Sequence, residues 1–320
     1  MKRLLFLLIT IVSLYGNDTI LESYRHNGMD GIEQKLDNAL TSLTYWQNVM
    51  QKADTTFGYI EAYDSILICD KNESTLKLYQ KDSNNTYVLK NSYNAFTGKN
   101  KGDKFYEGDL KTPVGIYHLT NKLLKVDSFY GPMAFVTSYP NLYDKYLGKD
   151  GHGIWIHGLP INQKRDEFTK GCIAIDNKSL TCLDKVIDLK KTILLIFENQ
   201  TILPTQKEQL ASIASWLYKW RYAWKYNDLE KYLSFYARDF KRYDGKDFEA
   251  FKKYKTLIFA RNQKKSIIFN DLTIIPYPNH SDVFMITFYE RYRSGRYTFK
   301  GNKELLIRTK NDTFEIFSEK

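Results

Sequence analysis

At 320 residues and 43% hydrophobic content the chain is long enough for two packed domains, and its 26% of mixed charge excludes bulk disorder. A formal charge of +10 calls for an anionic partner, and the scatter of the lysines along the chain argues against nucleic acid. A membrane surface or an acidic polymer such as cell-wall peptide remains.

Met1, Lys2 and Arg3 precede an apolar run from Leu4 to Leu14, with small residues at Ser13 and Gly16. A bilayer span needs about twenty apolar residues. The shorter run reads as a signal peptide over residues 1–16. Its removal takes Lys2 and Arg3 and leaves +8 of the +10. Three cysteines are an odd count in an exported chain, so at least one thiol stays unpaired within it. Cys69, in the strand-like ILIC, and Cys182, on the apolar face of an expected helix, are expected to pack as small hydrophobes. A Cys69–Cys182 disulfide stays open.

Residues 17–57 form an N-terminal helical segment. Ile32, Leu36, Ala39, Leu40, Leu43, Trp46, Val49 and Met50 recur at helical spacing and predict one amphipathic helix over 30–54. Its apolar face is expected to pack on the domain that follows or on a second copy, as a homodimer. Residues 58–200 then turn strand-like: SILIC, STLKLYQ, TYVLKNSYNAFTG, GIYHLT and MAFVTSY are short β-prone runs punctuated by turn residues. A helix from Asn177 to Leu189, capped by Asp176 or Asn177, and a closing strand TILLIF complete this unit.

The polar stretch ENQTILPTQKEQ marks the boundary to a second unit, 201–320. Helices over 206–236 carry Trp216, Trp220, Tyr222, Trp224, Tyr226, Tyr232, Phe235 and Tyr236, a stripe read as core. Four antiparallel strands follow, so this unit is α+β and the whole chain an α+β multidomain protein.

The chemistry concentrates in GIWIHGLPINQKRDEFTKGCIAI, residues 153–175. His157 ends one strand-like run and Cys172 opens another, fifteen residues on. A thiol attacks only as thiolate, and an imidazole oriented through its second nitrogen can take the proton. Neighbouring strands would bring the two together, with the loop leaving and returning on one side. Gly171 would let its own amide and that of Cys172 point outward as an oxyanion hole. By itself the pair leaves both readings open, nucleophile with base or two ordinary residues.

IHG followed by TKGCI resembles the signature of the YkuD-type L,D-transpeptidase catalytic domain. TGKNKGDKFYEGDLKTPVGIY, residues 97–117, resembles that family's Gly-Asp and Thr-Pro-x-Gly-x-Tyr elements. The resemblance implies a mostly-β catalytic domain with Cys172 as nucleophile, His157 as general base and the Gly158 carbonyl holding the imidazole. Trp155, His152, Thr169 and Lys170 are then the substrate-binding residues, Thr169 also fixing the loop. Lys170 stands where many relatives have a second histidine. Ala174 replaces a common arginine, so a substrate carboxylate must be met by another group, with Lys164 and Arg165 as candidates.

Residues 206–319 resemble the nuclear transport factor 2-like fold, a cone of helices on a curved sheet, with Lys255, Lys303 and Glu319 at polar pocket positions. Together these features resemble the L,D-carboxypeptidases that set cell shape in helical Gram-negative bacteria. That resemblance implies a periplasmic enzyme that trims tetrapeptide stems of peptidoglycan to tripeptides. An L,D-transpeptidase that makes crosslinks or attaches a protein to the wall, and a non-catalytic wall-binding scaffold, are the alternatives. No metal-ligand spacing and no phosphate loop is visible, so no cofactor is expected.

Overall fold

The structure, a computed structural model, describes residues 2–161, 166–199, 206–310 and 313–320, with side chains from Ile20 onward. The chain begins with α1 (Lys2–Ala39), interrupted at Gly28, whose φ of 64° is outside the helical range. Then comes α2 (Leu43–Lys52), capped by the Ser42 hydroxyl, which accepts the Tyr45 N–H. The single helix expected over 30–54 is therefore two, because Ser42 caps a fresh start. Their placement also differs from expectation. Trp46 and Met50 enter the core of the C-terminal domain, and Asp37 is buried between Arg221, at 2.8 Å, and Lys225. Burial acts to raise the Asp37 pKa, but the two cations hold it below the usual carboxylate range. The C-terminal domain of the same chain thus covers Trp46 and Met50, with Leu40 and Val49 packed beside them, while Leu36 and Leu43 of that face stay exposed.

β1 (Tyr59–Ile60) leads into β2 (Ser65–Asp70), β3 (Thr75–Lys81), β4 (Tyr87–Phe96), β5 (Gly115–Leu123) and β6 (Ala134–Thr137). α3 (Leu142–Tyr146), β7 (Trp155–His157), β8 (Ile173–Ile175), α4 (Asn177–Val186) and β9 (Thr192–Phe197) follow. β2 to β9 close into a barrel in the order β2-β3-β4-β8-β7-β6-β5-β9. Every residue of β2 is buried, and alternation explains why. Leu67 and Cys69 face the barrel core, whereas Ile66 and Ile68 face the C-terminal domain. β9 divides the same way, Leu194 and Ile196 inward, Ile193 and Leu195 outward. No disulfide joins any of the three cysteines. Cys69 packs as expected, its pKa pushed up to about 12 by burial. Cys182 does not: α4 buries Leu180 and Leu183 and leaves the thiol exposed, one position off the covered stripe.

The second domain runs α5 (Lys207–Lys225), α6 (Leu229–Leu233), β10 (Tyr236–Arg242), α7 (Phe248–Phe259), β11 (Lys265–Pro276), β12 (Val283–Ser294), β13 (Tyr297–Lys310) and β14 (Thr313–Glu319). β11 to β14 are the four antiparallel strands expected. β10 adds a parallel edge beside β14, and β1 adds an antiparallel one beside β11. Most of the aromatic stripe is core as read: Trp220, Trp224, Tyr232, Phe235 and Tyr236 are buried and Trp216 packs partly buried against them, whereas Tyr222 and Tyr226 are half-buried outside that core. Among the described residues no helix is long and apolar enough to cross a membrane.

The two domains share a third core. Ile66, Ile68, Ile193 and Leu195 of the barrel pack with Ile275, Tyr277, Met285, Leu306 and Phe317 of the sheet. Beside it, Glu304 lines a cavity of about 320 Å³ with Tyr63, His118 and Lys320. Burial pushes the Glu304 pKa from its usual 4.5 up to about 7, against the pull of Lys320 and Lys145. A carboxyl raised in this way stabilises the fold below its unfolded value, and that contribution is lost as pH climbs through the folded one. Glu304→Gln keeps the shape and removes the titration. The variant is expected to match the native protein at pH 4 and to exceed its stability by up to about 3 kcal/mol at pH 8. Denaturant titrations across that range check it; a constant difference would show that Glu304 titrates as an ordinary carboxyl.

Candidate active site

β7 and β8 are neighbours, as the nucleophile reading requires, but they run parallel. The connection from 158 to 172 therefore crosses from the C-terminal end of β7 to the N-terminal end of β8, and does not return on one side. His157 is opposite Ala134 of β6 and Ala174 of β8. An imidazole between two methyl groups has room that larger neighbours would take. Continuing the register one residue sets Cys172 beside Trp155, on the same face of the sheet as His157. His157 is 1% exposed, and the edge of the Tyr130 ring lies 5.0 Å from it between centroids. Its Nδ1 lies 2.6 Å from the Gly158 carbonyl oxygen. A carbonyl only accepts, so Nδ1 carries the hydrogen and Nε2 is the basic nitrogen.

Cys172 follows a tightly built turn. Gly171 has φ 137°, and a Cβ there would meet the Lys111 carbonyl oxygen at 2.8 Å, so only glycine fits. The Thr169 hydroxyl donates to the Cys172 carbonyl at 2.7 Å and accepts the Gly171 N–H at 2.9 Å. Thr169 thus fixes the loop. The second bond corrects the oxyanion assignment: the Gly171 amide is engaged within its own turn, so it does not point outward as expected. The Cys172 thiol donates to the Gly153 carbonyl at 3.4 Å.

The upstream motif is tied to this turn. Thr169 N–H donates to the Thr97 carbonyl at 2.7 Å, and Lys99 N–H to that of Thr169 at 3.0 Å. Thr112 accepts the Gly98 N–H at 2.8 Å. Asp103 accepts the Val114 N–H at 2.8 Å. Asp109 accepts the N–H groups of Phe105 and Lys111 and the Lys104 ammonium. Burial alone would raise the Asp109 pKa, but these donors take it down to about 2. The aspartates of residues 97–117 are loop braces.

Of the other expected residues, Trp155 is half-buried against Tyr130, at 5.3 Å, and Thr169 is buried, whereas His152 and Lys170 are exposed. Lys164 and Arg165 lie outside the described residues. Sequence reasoning missed Tyr130 and Asn177. Tyr130 was given no role from the sequence, and Asn177 was seen only as a cap. Asp176 is the cap, accepting the Ser179 N–H at 2.9 Å, while Asn177 Oδ1 accepts the Leu159 N–H at 2.8 Å. Among the described residues no group of three or more His, Cys, Asp or Glu side chains could hold a metal ion.

A second cluster lies inside the C-terminal domain and gathers all three of its expected residues. Lys255 Nζ lies 5.0 to 5.2 Å from the ring centroids of Trp224, Tyr232 and Phe251. Burial takes its pKa down to about 8. Glu319, 2% exposed, accepts from Lys303 at 3.2 Å and from the Tyr236 hydroxyl at 2.9 Å. Burial opposes its ionisation, but Lys303 and Lys255 hold it below the usual carboxylate range. Glu290 completes the cluster: burial raises its pKa, and its Oε1 has no hydrogen-bond partner. Its signal was in the sequence. Phe284, Ile286 and Phe288 are the inward positions of β12, and Glu290 continues that row.

Residues 64–193 match the L,D-transpeptidase catalytic domain (YkuD), and residues 212–320 match the Cds6 C-terminal NTF2-like domain. The putative L,D-transpeptidase YafK of Escherichia coli K12 is 36% identical over 112 residues, 34% of this chain and 42% of that protein. The match thus spans about two-fifths of the curated relative's length. The crystal structure of the helical cell shape determining protein Pgp2 from Campylobacter jejuni superposes with a TM-score of 0.79 at 37% identity, covering 88% of this chain and 99% of that one. Bd1075 of Bdellovibrio bacteriovorus superposes with a TM-score of 0.65 at 27% identity, covering 81% and 92%. At 37% identity over almost all of Pgp2, and with both domains matched, the chain belongs to the family in which a YkuD-type L,D-transpeptidase catalytic domain is joined to an NTF2-like domain.

Proposed function

We propose that this chain is an exported peptidoglycan L,D-carboxypeptidase that removes the terminal D-Ala from tetrapeptide stems, and so influences cell shape. Residues 1–16 act as the signal peptide, and the mature chain works in the periplasm. The observation that carries the chemistry is the 2.6 Å contact from His157 Nδ1 to the Gly158 carbonyl, which leaves Nε2 as the base on the face that Cys172 shares. His157 takes the thiol proton. The thiolate attacks the carbonyl on the L-centre of the diamino acid. The imidazolium returns the proton to the departing D-Ala nitrogen, and a thioester remains on Cys172. Water, deprotonated by His157, then releases the tripeptide and regenerates the thiol.

Choice of water over a second stem's amine is the step that separates trimming from crosslinking. The C-terminal domain supports the first outcome: Lys303 lines the cavity beside Glu304 and offers a cationic group to an acidic stem, and a stem held there is kept from attacking the thioester. Incubation with purified disaccharide-tetrapeptide tests the reading. D-Ala and tripeptide are expected, and their formation is to stop in Cys172→Ala. Crosslinked dimers instead would make the chain a transpeptidase, and no Cys172-dependent change would leave the wall-binding scaffold. The part of Lys303 is tested in the full chain, because the barrel residues Ile66, Ile68, Ile193 and Leu195 are covered by the second domain. Lys303→Met is expected to weaken muropeptide binding about tenfold, the scale of one charge-assisted hydrogen bond. Unchanged binding would remove Lys303 from substrate recognition.

A further inference from the structure

We infer that Asn177 is a positioning residue for the general base, acting through the peptide group that joins Gly158 to Leu159; this rests on the assignment of His157 and Cys172 above. The Gly158 carbonyl that accepts His157 Nδ1–H, at 2.6 Å, and the Leu159 N–H that donates to Asn177 Oδ1, at 2.8 Å, are the two ends of one amide. The amide is planar, so fixing its N–H fixes the direction of its carbonyl. An acceptor on the N–H also draws electron density toward the oxygen, which strengthens the bond that the oxygen accepts. The side-chain amide of Asn177 thus does at one remove what the third member of a catalytic triad does directly.

The surroundings are built for this contact. A Cβ at Gly158 would come within 2.2 Å of Asn177 Oδ1, and one at Gly131 within 2.5 Å, so glycine at both positions lets the side chain reach the peptide. The preceding N–H is also held, since Gly158 donates to the Tyr130 carbonyl at 2.9 Å. Asn177 is the first residue of α4, directly after the cap Asp176, so its backbone is held by the helix start. The cap already has its own side chain in Asp176, and that leaves the Asn177 amide to Leu159.

Asn177→Leu removes the acceptor at similar size. Its kcat on disaccharide-tetrapeptide is expected to fall about 10- to 100-fold, with KM within twofold of native. Alkylation of Cys172 by iodoacetamide, followed by site-resolved mass spectrometry, is expected to slow in parallel. Asn177→Asp, which keeps an acceptor oxygen, is expected to restore both to within about threefold. Should the leucine variant not fold, Asn177→Ala carries the same expectation without bulk beside Gly131 and Gly158. Native kcat and native alkylation in the acceptor-less variant would overturn the inference, as would equal losses in the leucine and aspartate variants. If the native enzyme's Cys172 alkylates no faster than an ordinary thiol, the His157–Cys172 assignment itself fails, and the positioning role with it.

Discussion

Replacing Cys172 by serine is expected to lower turnover of the stem tetrapeptide by on the order of 10³-fold or more while leaving its binding within about threefold. The expectation follows from the nucleophile's ionisation. A thiol has a pKa near 8.5, within reach of an imidazole, whereas a hydroxyl is far from it and must be deprotonated during attack. The site is built around sulfur, with the thiol donating to the Gly153 carbonyl and the turn behind it fixed by Thr169. His157→Gln is expected to cost about 10²–10⁴-fold, the usual range for a general base. The double variant should cost little more than Cys172→Ser alone, because the two residues act as one unit. Mass spectrometry of native enzyme quenched during turnover should show Cys172 carrying the tripeptide as a thioester. Full activity in Cys172→Ser, or an acyl group found on another residue, would transfer the chemistry elsewhere.

The parts of this fold that could be read in advance are those where one local pattern meets one local environment. The barrel strands were legible because the ILIC and TILLIF runs are apolar on both faces, and both faces do pack, one inside the barrel and one on the second domain. The aromatic row of α5 and the Lys255, Lys303 and Glu319 cluster were legible from ordered elements in sequence. Long-range pairing was not. Trp46 and Met50 advertise an apolar face without naming its partner, which proves to be α5, more than 150 residues on. β10 failed for a related reason: YARDFKR alternates poorly, and its parallel neighbour β14 comes at the end of the chain. At the site, the motif gave residue types but not hydrogen-bond directions. Gly171 looked like an oxyanion donor until Thr169, two residues earlier, took its N–H. Asn177 looked like a cap because caps and peptide clamps use the same side chain, and only the position of Leu159 distinguishes them.

Lys149→Met is expected to cost about 3–5 kcal/mol of stability, the range for breaking a buried ion pair from one side. Lys149 is 6% exposed and its Nζ meets Asp103 at 2.5 Å and Asp144 at 2.9 Å. Asp144 is fully buried. Burial already raises its pKa in the native protein, with Lys149 acting against that rise. Without the ammonium, the Asp144 carboxylate keeps the Tyr117 hydroxyl and the Asn141 N–H but has no countercharge. The cost therefore applies while Asp144 is ionised and shrinks as acid protonates it, so native and variant should converge toward low pH. Asp144→Asn in the Lys149→Met background should recover part of the loss, and the double-mutant cycle measures how much belongs to the pair. Activity is expected to fall as well. Asp103 holds Val114 N–H at the end of the loop whose Lys111 carbonyl packs on Gly171, so loosening Asp103 loosens the turn before Cys172. Denaturant titration at pH 7 and pH 4, with kcat measured on the folded variant, checks both effects. Native stability at pH 7 would mean that the loop over residues 98–114 is held by its own turns, and that the buried pair contributes nothing to the site.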